Sequence, residues 1–467
     1  MVDIDASVFS TPDREPPEDP YADGEPLTPP DENPEADLAN GRRLAATYGN
    51  RLRYVVPWSK WLCWDGTRWA LDDTGQAVRY AKAVADTLPR TVGRSGTTPS
   101  RAQTAAGINA MLAMAATESG IAVAPSALDA DPHLLNTANG TVDLHIGQLR
   151  PHDPADLITK VCGAAYHPGA EAPKFREFLR KIQPEVEMRE FLGRLFGHAL
   201  PGVVTEHVLV VLYGIGANGK STLTETVSAA LGDYAAPVDS AILLERFGDA
   251  HPTGLASLFG LRLAITSETD QGRRLAEATV KKLTGGDEIA ARRMREDYWT
   301  FRPSHSLVML TNHKPLIRGD DEGIWRRLRL VPFDVVVPED ERDGKLAEKL
   351  HGELDGVLAW LVDGYVQWKS RGLAEPAPVR NATATYRTES DLLGLFLAER
   401  TMPNPNAHVR SADLFAAWVE WCRRENVDAG TQTAFSRDLV NRGFDKKHTE
   451  VGKLWQGIGL YAAEEDK

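Results

Sequence analysis

The chain has 467 residues, 42% of them hydrophobic, and a formal net charge of −13. It is too long for one ordinary domain and too apolar to be disordered throughout, so two to four domains with real cores are expected. The acidic balance at first argues against a nucleic-acid partner, but residues 1–40 hold twelve acidic residues against the single Arg14, which leaves the remainder near neutral and able to carry basic patches.

That first segment, rich in Pro, Asp and Glu, buries too little apolar surface to offset chain entropy and reads as a disordered acidic tail. Cys63, Cys162 and Cys422 form no C-x-x-C pair. This argues against a zinc site or a disulfide framework and suits a reducing cytosol, with Cys422 a buried helix thiol. No apolar run approaches the ~18 residues of a membrane span, and no charged-then-apolar leader opens the sequence. A soluble intracellular protein with no membrane partner is expected.

From about 41 to 160 the pattern is that of a folded region. Trp58, Trp61, Trp64 and Trp69 surround a D-G turn at Asp65-Gly66, a hairpin signal, and read as a small core rather than a base-stacking surface. Helices are predicted over 76–90 and 101–118, and short strands over 141–144 and 148–150. Residues 171–200 show helical apolar spacing. From 208 onward, apolar strands at 208–214, 261–268, 306–312 and 326–333 interleave with helices, the mark of a parallel α/β sheet. Residues 344–370 close this region as helix, 374–380 read as a linker, and 385–467 as a small helical and hairpin module.

Residues 213–222, YGIGANGKST, contain the G-x-x-x-x-G-K-[ST] pattern between a buried strand and a helix. Gly214, Gly216, Ala217, Asn218 and Gly219 would turn backbone N–H groups inward as an anion nest, with Thr222 in the first helical turn. Lys220 would reach the β- and γ-phosphates of ATP, and the Ser221 hydroxyl would sit on Mg²⁺. Glu268 ends the next strand, where a carboxylate faces the metal and the attacking water. Asn312 ends the third strand as a polar sensor. Arg326 and Arg327, before the last strand, read as surface charges in a monomer, whereas in a ring they would reach a neighbouring subunit's γ-phosphate. Between Glu268 and Asn312, the segments IAARRM and YWTFR read as a hairpin about an Arg295-Glu296-Asp297 turn. Lys281, Lys282, Arg292, Arg293 and Arg295, with Tyr298, Trp299 and Phe301, would give it charges for phosphates and rings for bases of single-stranded DNA.

With those motifs in this order and spacing, the chain resembles the superfamily 3 helicases of phages, plasmids and large DNA viruses, of the phage/plasmid primase–helicase type. The segments that carry the likeness are GIGANGKST, RLAITSETDQGRRLAEATVKKLTGGDEIAARRM, LVMLTNHKP and DEGIWRRLRLVPF. The resemblance implies an AAA+-like P-loop core over 170–372, a helicase-associated α+β domain over 41–165 and a winged-helix module over 382–467. It further implies an ATP- and Mg²⁺-dependent DNA helicase that forms a ring, by expectation a hexamer, on single-stranded and forked DNA. Such a protein would work with replication proteins in the cytoplasm of a bacterial host. In the winged-helix module, Arg437, Arg442, Lys446, Lys447 and Lys453 are candidates for duplex phosphates, against a protein-docking or purely structural role. Two departures stand out. The second acidic motif has Glu268 without a paired acid, and no primase region precedes the shared block, so unwinding without priming is expected. A replication initiator that binds ATP with little turnover, and a P-loop kinase, are the rival readings.

Overall fold

The chain divides into two units, the first ending at Leu128 and the second beginning at Asp129. The structure, a computed structural model, describes residues 36–89, 91–93, 96–98, 100–245, 253–268, 272–292, 298–317, 322–425, 427–449 and 452–461. Most of the expected acidic tail, and with it residues 1–35, lies outside the described residues.

In the first unit the elements are α1 (Asp37–Tyr48), β1 (Leu52–Val55), β2 (Lys60–Trp64), β3 (Trp69–Leu71), α2 (Gln76–Thr87), β4 (Thr91–Gly93), β5 (Gly96–Thr98) and α3 (Ala105–Ala115). Helix α1 takes in the last residues of the stretch read as tail, because Ala39 and Leu44 are buried in this unit's core. The D-G turn forms as expected. Asp65 Oδ1 accepts from the Thr67 and Arg68 amides at 2.7 and 2.9 Å, and Gly66 supplies the positive φ of 106°. Trp69 is fully buried beneath the Arg53 guanidinium at 4.4 Å, and Trp61 tilts onto Tyr54 at 4.9 Å. These tryptophans pack the meander.

The second unit opens with the antiparallel sheet β6 (Leu134–Thr137), β7 (Gly140–Asp143), β8 (Gln148–Arg150), of which the first strand was not predicted. There follow α4 (Pro173–Ile182), α5 (Val186–Gly197), β9 (Leu209–Tyr213), α6 (Lys220–Leu231), β10 (Ala235–Pro237), α7 (Thr253–Ala256), β11 (Leu263–Glu268) and α8 (Glu277–Leu283). Then come β12 (Ile289–Arg292), β13 (Tyr298–Phe301), β14 (Ser306–Thr311), α9 (Glu322–Trp325), β15 (Leu328–Pro332), α10 (Leu346–His351) and α11 (Leu354–Arg371). Five strands make one parallel sheet in the order β10-β11-β14-β9-β15. Alternate residues of LVVL in β9 enter different cores: Val210 and Leu212 join Phe178, Leu223 and Leu361, whereas Leu209 and Val211 join Leu258, Val280 and Phe301. Burial on both faces is why these strands are apolar throughout.

Helices α5 and α11 approach backbone to backbone. A Cβ at Gly364 would fall 2.0 Å from the Gly193 carbonyl oxygen, so no larger side chain fits there without moving a helix.

The stretch read as a linker over 374–380 is instead docked, and helix α12 (Ala377–Ser390) starts inside it. Pro378 lies in the first turn, where a missing N–H costs nothing, so the prolines that suggested a linker start a helix. Arg194 donates to the carbonyls of Leu373 and Ala374 at 2.8 and 3.1 Å. Helix α12 lies along the outer strand: Leu330 N donates to Thr383 Oγ1 at 3.0 Å, and Tyr386 meets Trp325 edge-on at 5.3 Å. Beyond it, α13 (Leu392–Arg400), β16 (Thr401–Arg410), α14 (Ser411–Arg424), α15 (Gln432–Asn441), β17 (Lys446–Thr449) and β18 (Gly452–Leu460) form a module with the sheet order β16-β18-β17. Its core holds Phe396, Leu414, Trp418, Phe435 and Trp455, and Cys422 is buried there as expected, its thiol pushed up to about 11 by that burial. Among the described residues no helix is long and apolar enough to cross a membrane.

Gly364→Val should lower the melting temperature, with a loss of about 1–3 kcal/mol for an overpacked contact. An unchanged thermal melt would mean that α5 and α11 do not meet so closely.

Candidate functional site

Three parallel strands end side by side. Glu268 at the end of β11 pairs in register with Thr311 of β14, and Thr311 with Tyr213 of β9. The next residues, Asn312 and Gly214, therefore leave the sheet at the same edge, where ligands bind in such sheets. From Gly214 the chain runs through Gly216 at φ +125°, Ala217 at +50° and Gly219 at +81° before α6 begins at Lys220. A run of left-handed residues at a helix N-terminus turns successive amides to one side.

Lys220 is 5% exposed. Its Nζ donates to the Gly214 carbonyl at 2.6 Å, Asn218 Oδ1 at 3.0 Å and Asn312 Oδ1 at 3.2 Å. The structure thus joins the loop lysine to the predicted sensor, 92 residues apart in sequence. Burial brings the lysine down to about 8. Among the described residues no carboxylate pairs with it, so a buried cation rests on neutral oxygens. A polyphosphate fits that donor, because anionic oxygens can replace the carbonyl and amide acceptors. Ser221 is exposed and Thr222 half-buried in the first turn of α6, which leaves the serine hydroxyl open to a metal ion.

Asn218 has a second task that the sequence reading missed. Its side chain is buried, and Nδ2 donates to the Phe333 carbonyl at 3.0 Å, while Val337 N donates to the Ala217 carbonyl at 2.9 Å. The segment after β15 thereby straps the loop shut from below. An amide at this position was visible, but its partner lies 115 residues on.

Glu268 is 8% exposed, and its Oε2 accepts from the Ser240 hydroxyl at 3.2 Å. Ser240 lies just past β10, the neighbouring edge strand, and only the register of that strand reveals it. Asp270, the acid nearest Glu268 in sequence, falls outside the described residues.

Arg326 and Arg327 are placed elsewhere. They precede β15, whose Leu328 pairs with Leu209 at the start of β9, so both arginines stand at the amino edge of the sheet. Five strand residues at about 3.3 Å each put ~16 Å between that edge and the loop. Arg326 is exposed, whereas Arg327 donates to the Gly323 carbonyl at 2.8 Å. Neither completes the lysine site of its own chain.

The expected hairpin forms from β12 and β13, with Arg292 opposite Tyr298. The Arg292 guanidinium lies 5.4 Å from the centre of the Tyr298 ring, which is 63% exposed, and Lys282 is exposed on α8. Phe301 is buried and Trp299 half-buried. They pack edge-on against Phe259 at 4.8 and 5.5 Å and anchor the hairpin to the body. Arg293 and Arg295, with the turn between the strands, lie outside the described residues. In the C-terminal module, Arg437, Lys447 and Lys453 are exposed. Arg442 is paired with Asp391, and Lys446 donates to Ser436 Oγ at 3.0 Å and covers the Trp455 ring, so these two are engaged within the module.

A family model described as D5 N terminal like matches residues 41–184, and one described as a family of unknown function matches 212–327. The chain is 30% identical over 319 residues to the provisionally named helicase L207/L206 of Acanthamoeba polyphaga mimivirus, covering 63% of this chain and 33% of that one. It is 24% identical over 352 residues to the provisionally named primase C962R of African swine fever virus, with coverage of 68% and 36%. To the provisionally named helicase 022R of frog virus 3 it is 25% identical over 269 residues, with coverage of 53% and 28%. The chain thus spans about a third of the length of these relatives. Among solved structures, two apo forms of the NrS-1 C-terminal region superpose with a TM-score of 0.50, at 10% and 11% identity, covering 92% and 91% of this chain and 100% and 99% of theirs. That likeness concerns the fold alone. What the fold defines is a mixed α/β protein with a parallel sheet. Residues 41–184 thus match a D5 N-terminal-like model, and over part of its length the chain is similar to viral proteins provisionally named helicases and primases.

Two outcomes are expected. A lysine at about 8 is taken up as a cation by a polyphosphate, so the free protein loses a proton that the complex keeps. MgATP affinity should be flat below pH 8 and fall up to ~tenfold per pH unit above it, with proton uptake on binding near pH 8 in calorimetry across buffers. A flat profile to pH 9.5 would contradict this. Ser240→Ala should lower kcat for ATP about 3–10-fold, the worth of one hydrogen bond, with KM unchanged. Unchanged turnover would remove Ser240 from the site.

Proposed function

We propose that this chain is the motor part of an ATP-dependent DNA helicase of viral or mobile-element replication, acting as a closed ring, by expectation a hexamer, on single-stranded and forked DNA. The observation that carries the reading is the separation of two half-sites. Lys220 and Asn312 meet at the carboxyl edge of the sheet in line with Glu268, and Arg326 and Arg327 stand at the opposite edge. Loop, sensor and carboxylate can hold MgATP and its attacking water, and Arg326 of another copy would supply a cation for the developing charge. A contact that joins one edge of a subunit to the opposite edge of the next is heterologous, and heterologous contacts form a ring when their rotation closes and a filament when it does not.

In this reading the amides of Gly214–Gly219 and Lys220 hold the phosphates, and Ser221 with Glu268 holds Mg²⁺. Glu268 orients the water, and Asn312 reports the γ-phosphate to Lys220. Arg326, the exposed member of the pair, is the finger, and Arg327 fixes the turn that presents it. The β12–β13 hairpin contributes Arg292, Tyr298 and the basic residues of its turn to the DNA path, with Lys282 beside it. The order α13-β16-α14-α15-β17-β18 is that of a winged helix, in which α15 and the β17–β18 hairpin would face duplex DNA. The names of the viral relatives support a replication role, and no observation favours a kinase.

Subunit mixing tests the reading. Lys220→Ala and Arg326→Ala chains should each lose ATPase and unwinding by at least ~100-fold, as loss of an arginine finger does. Mixed with each other they should regain part of the ATPase, because a mixed ring contains some intact junctions. If Arg326→Ala alone retains full DNA-stimulated turnover, the ring site is wrong.

A further inference from the structure

We propose that Asp131, His133 and His145 form a binding site for a divalent transition-metal ion, Zn²⁺ by its ligand chemistry. The proposal is independent of the ATPase reading and uses none of its residues.

The β6–β7 hairpin continues past its last ladder pair, Leu134 with Asp143. Leu144 N donates to the His133 carbonyl at 2.9 Å, and this brings His133 and His145 together. Their rings stack with centroids 3.9 Å apart and 28° between planes. Each backbone is held by a carboxylate: Asp131 Oδ1 accepts from His133 N at 2.9 Å, and Asp143 Oδ1 from His145 N at 2.8 Å. Asp131 Oδ1 also lies 3.9 Å from His133 Nδ1.

One donor atom from each of Asp131, His133 and His145 lies within 4.8 Å of the other two. Three atoms so placed share a point within roughly 2.8 Å of each, and a contraction of about 0.7 Å reaches the bonds of about 2.0–2.2 Å that Zn²⁺ forms with N and O. All three side chains are at least partly exposed, so rotamer adjustment supplies that contraction.

Two imidazoles and one carboxylate select Zn²⁺, Co²⁺, Ni²⁺ or Cu²⁺ over Mg²⁺ and Ca²⁺, which take oxygen ligands. Three protein donors leave at least one coordination position to water. Two cations bear on the affinity. Lys369 Nζ donates to the His145 carbonyl at 3.2 Å, and Arg262 donates to the Leu134 carbonyl at 2.6 Å while covering the Tyr234 ring. Their repulsion is countered by the charges of Asp131 and Asp143. Cys63, Cys162 and Cys422 are buried, so no accessible thiolate competes for the metal. Arg262 leads into β11 at its amino end, which places this hairpin at the edge of the sheet away from the Gly214–Ser221 loop.

The test uses the full chain without an affinity tag or nucleotide, stripped with EDTA and titrated with Co²⁺ and then Zn²⁺. One Co²⁺ per chain should give a visible d–d absorption band that Zn²⁺ abolishes, and Zn²⁺ should raise the melting temperature. His133→Ala and His145→Ala should each weaken binding at least tenfold and remove the thermal shift. Both should melt like the parent chain in EDTA, which shows that the fold survives, and Lys220→Ala should bind as the parent does. Absence of stoichiometric Co²⁺ binding, or binding that persists unchanged in the doubly substituted chain, overturns the proposal.

Discussion

A buried ammonium held by three neutral oxygens is the arrangement on which the candidate site depends. Burying a charge is expensive unless it is paired, and hydrogen bonds to two carbonyl-type amides and one backbone carbonyl satisfy Lys220 without neutralising it. The loop therefore keeps an unspent positive charge, and its shape has to be maintained from outside. Asn218 ties it to Phe333, Ala217 to Val337, and the close approach of Gly219 to Phe178 and Ile182 of α4 leaves no room for a side chain there. A flexible loop would let the lysine escape into water, and the cost of its burial would no longer be held in reserve for an anion.

The parallel sheet distributes the rest. Because all five strands run the same way, residues that end strands collect at one edge and residues that begin them at the other. Glu268, Asn312 and Gly214 belong to the first group, and Arg262, Arg326 and Arg327 to the second. Strand length alone keeps the groups apart. The arginine that precedes β11 is buried and consumed in tying Leu200 and Leu134 together, whereas Arg326 is left exposed. Two arginines at the same edge thus have opposite fates, decided by whether backbone carbonyls reach them.

Much of this was legible in the sequence because it is written locally. Strands buried on both faces are short apolar runs, so β9, β11, β14 and β15 were found within two residues of their ends. The Asp65-Gly66 turn carries its own chemistry, and the loop pattern is contiguous. The missing parts are those set by partners distant in the chain. Strand β6 is four residues long and has no periodicity to detect, helix α12 begins among prolines that equally suit a linker, and Trp299 and Phe301 look like a base platform until Phe259 is found against them. Ser240, the tether of Asn218 and the pairing of His133 with His145 follow from register, which a single sequence does not display. The cysteine spacing spoke against zinc, and it was silent about histidines brought together by a hairpin.

Helix α12 has a mechanical consequence. It is the only covalent path from the sheet to the C-terminal module, and it does not hang free. Tyr386 rests on Trp325, Arg387 holds Glu322 at 2.6 Å, and Lys314, two residues after Asn312, holds Glu389 at 2.7 Å. Its last turn is therefore fastened to the short helix that precedes Arg326 and to the turn that follows the sensor, directly before the module begins. Tension on that module cannot be absorbed by slack in a tether. It enters the body within a few residues, along the chain, of Arg326 and of Asn312.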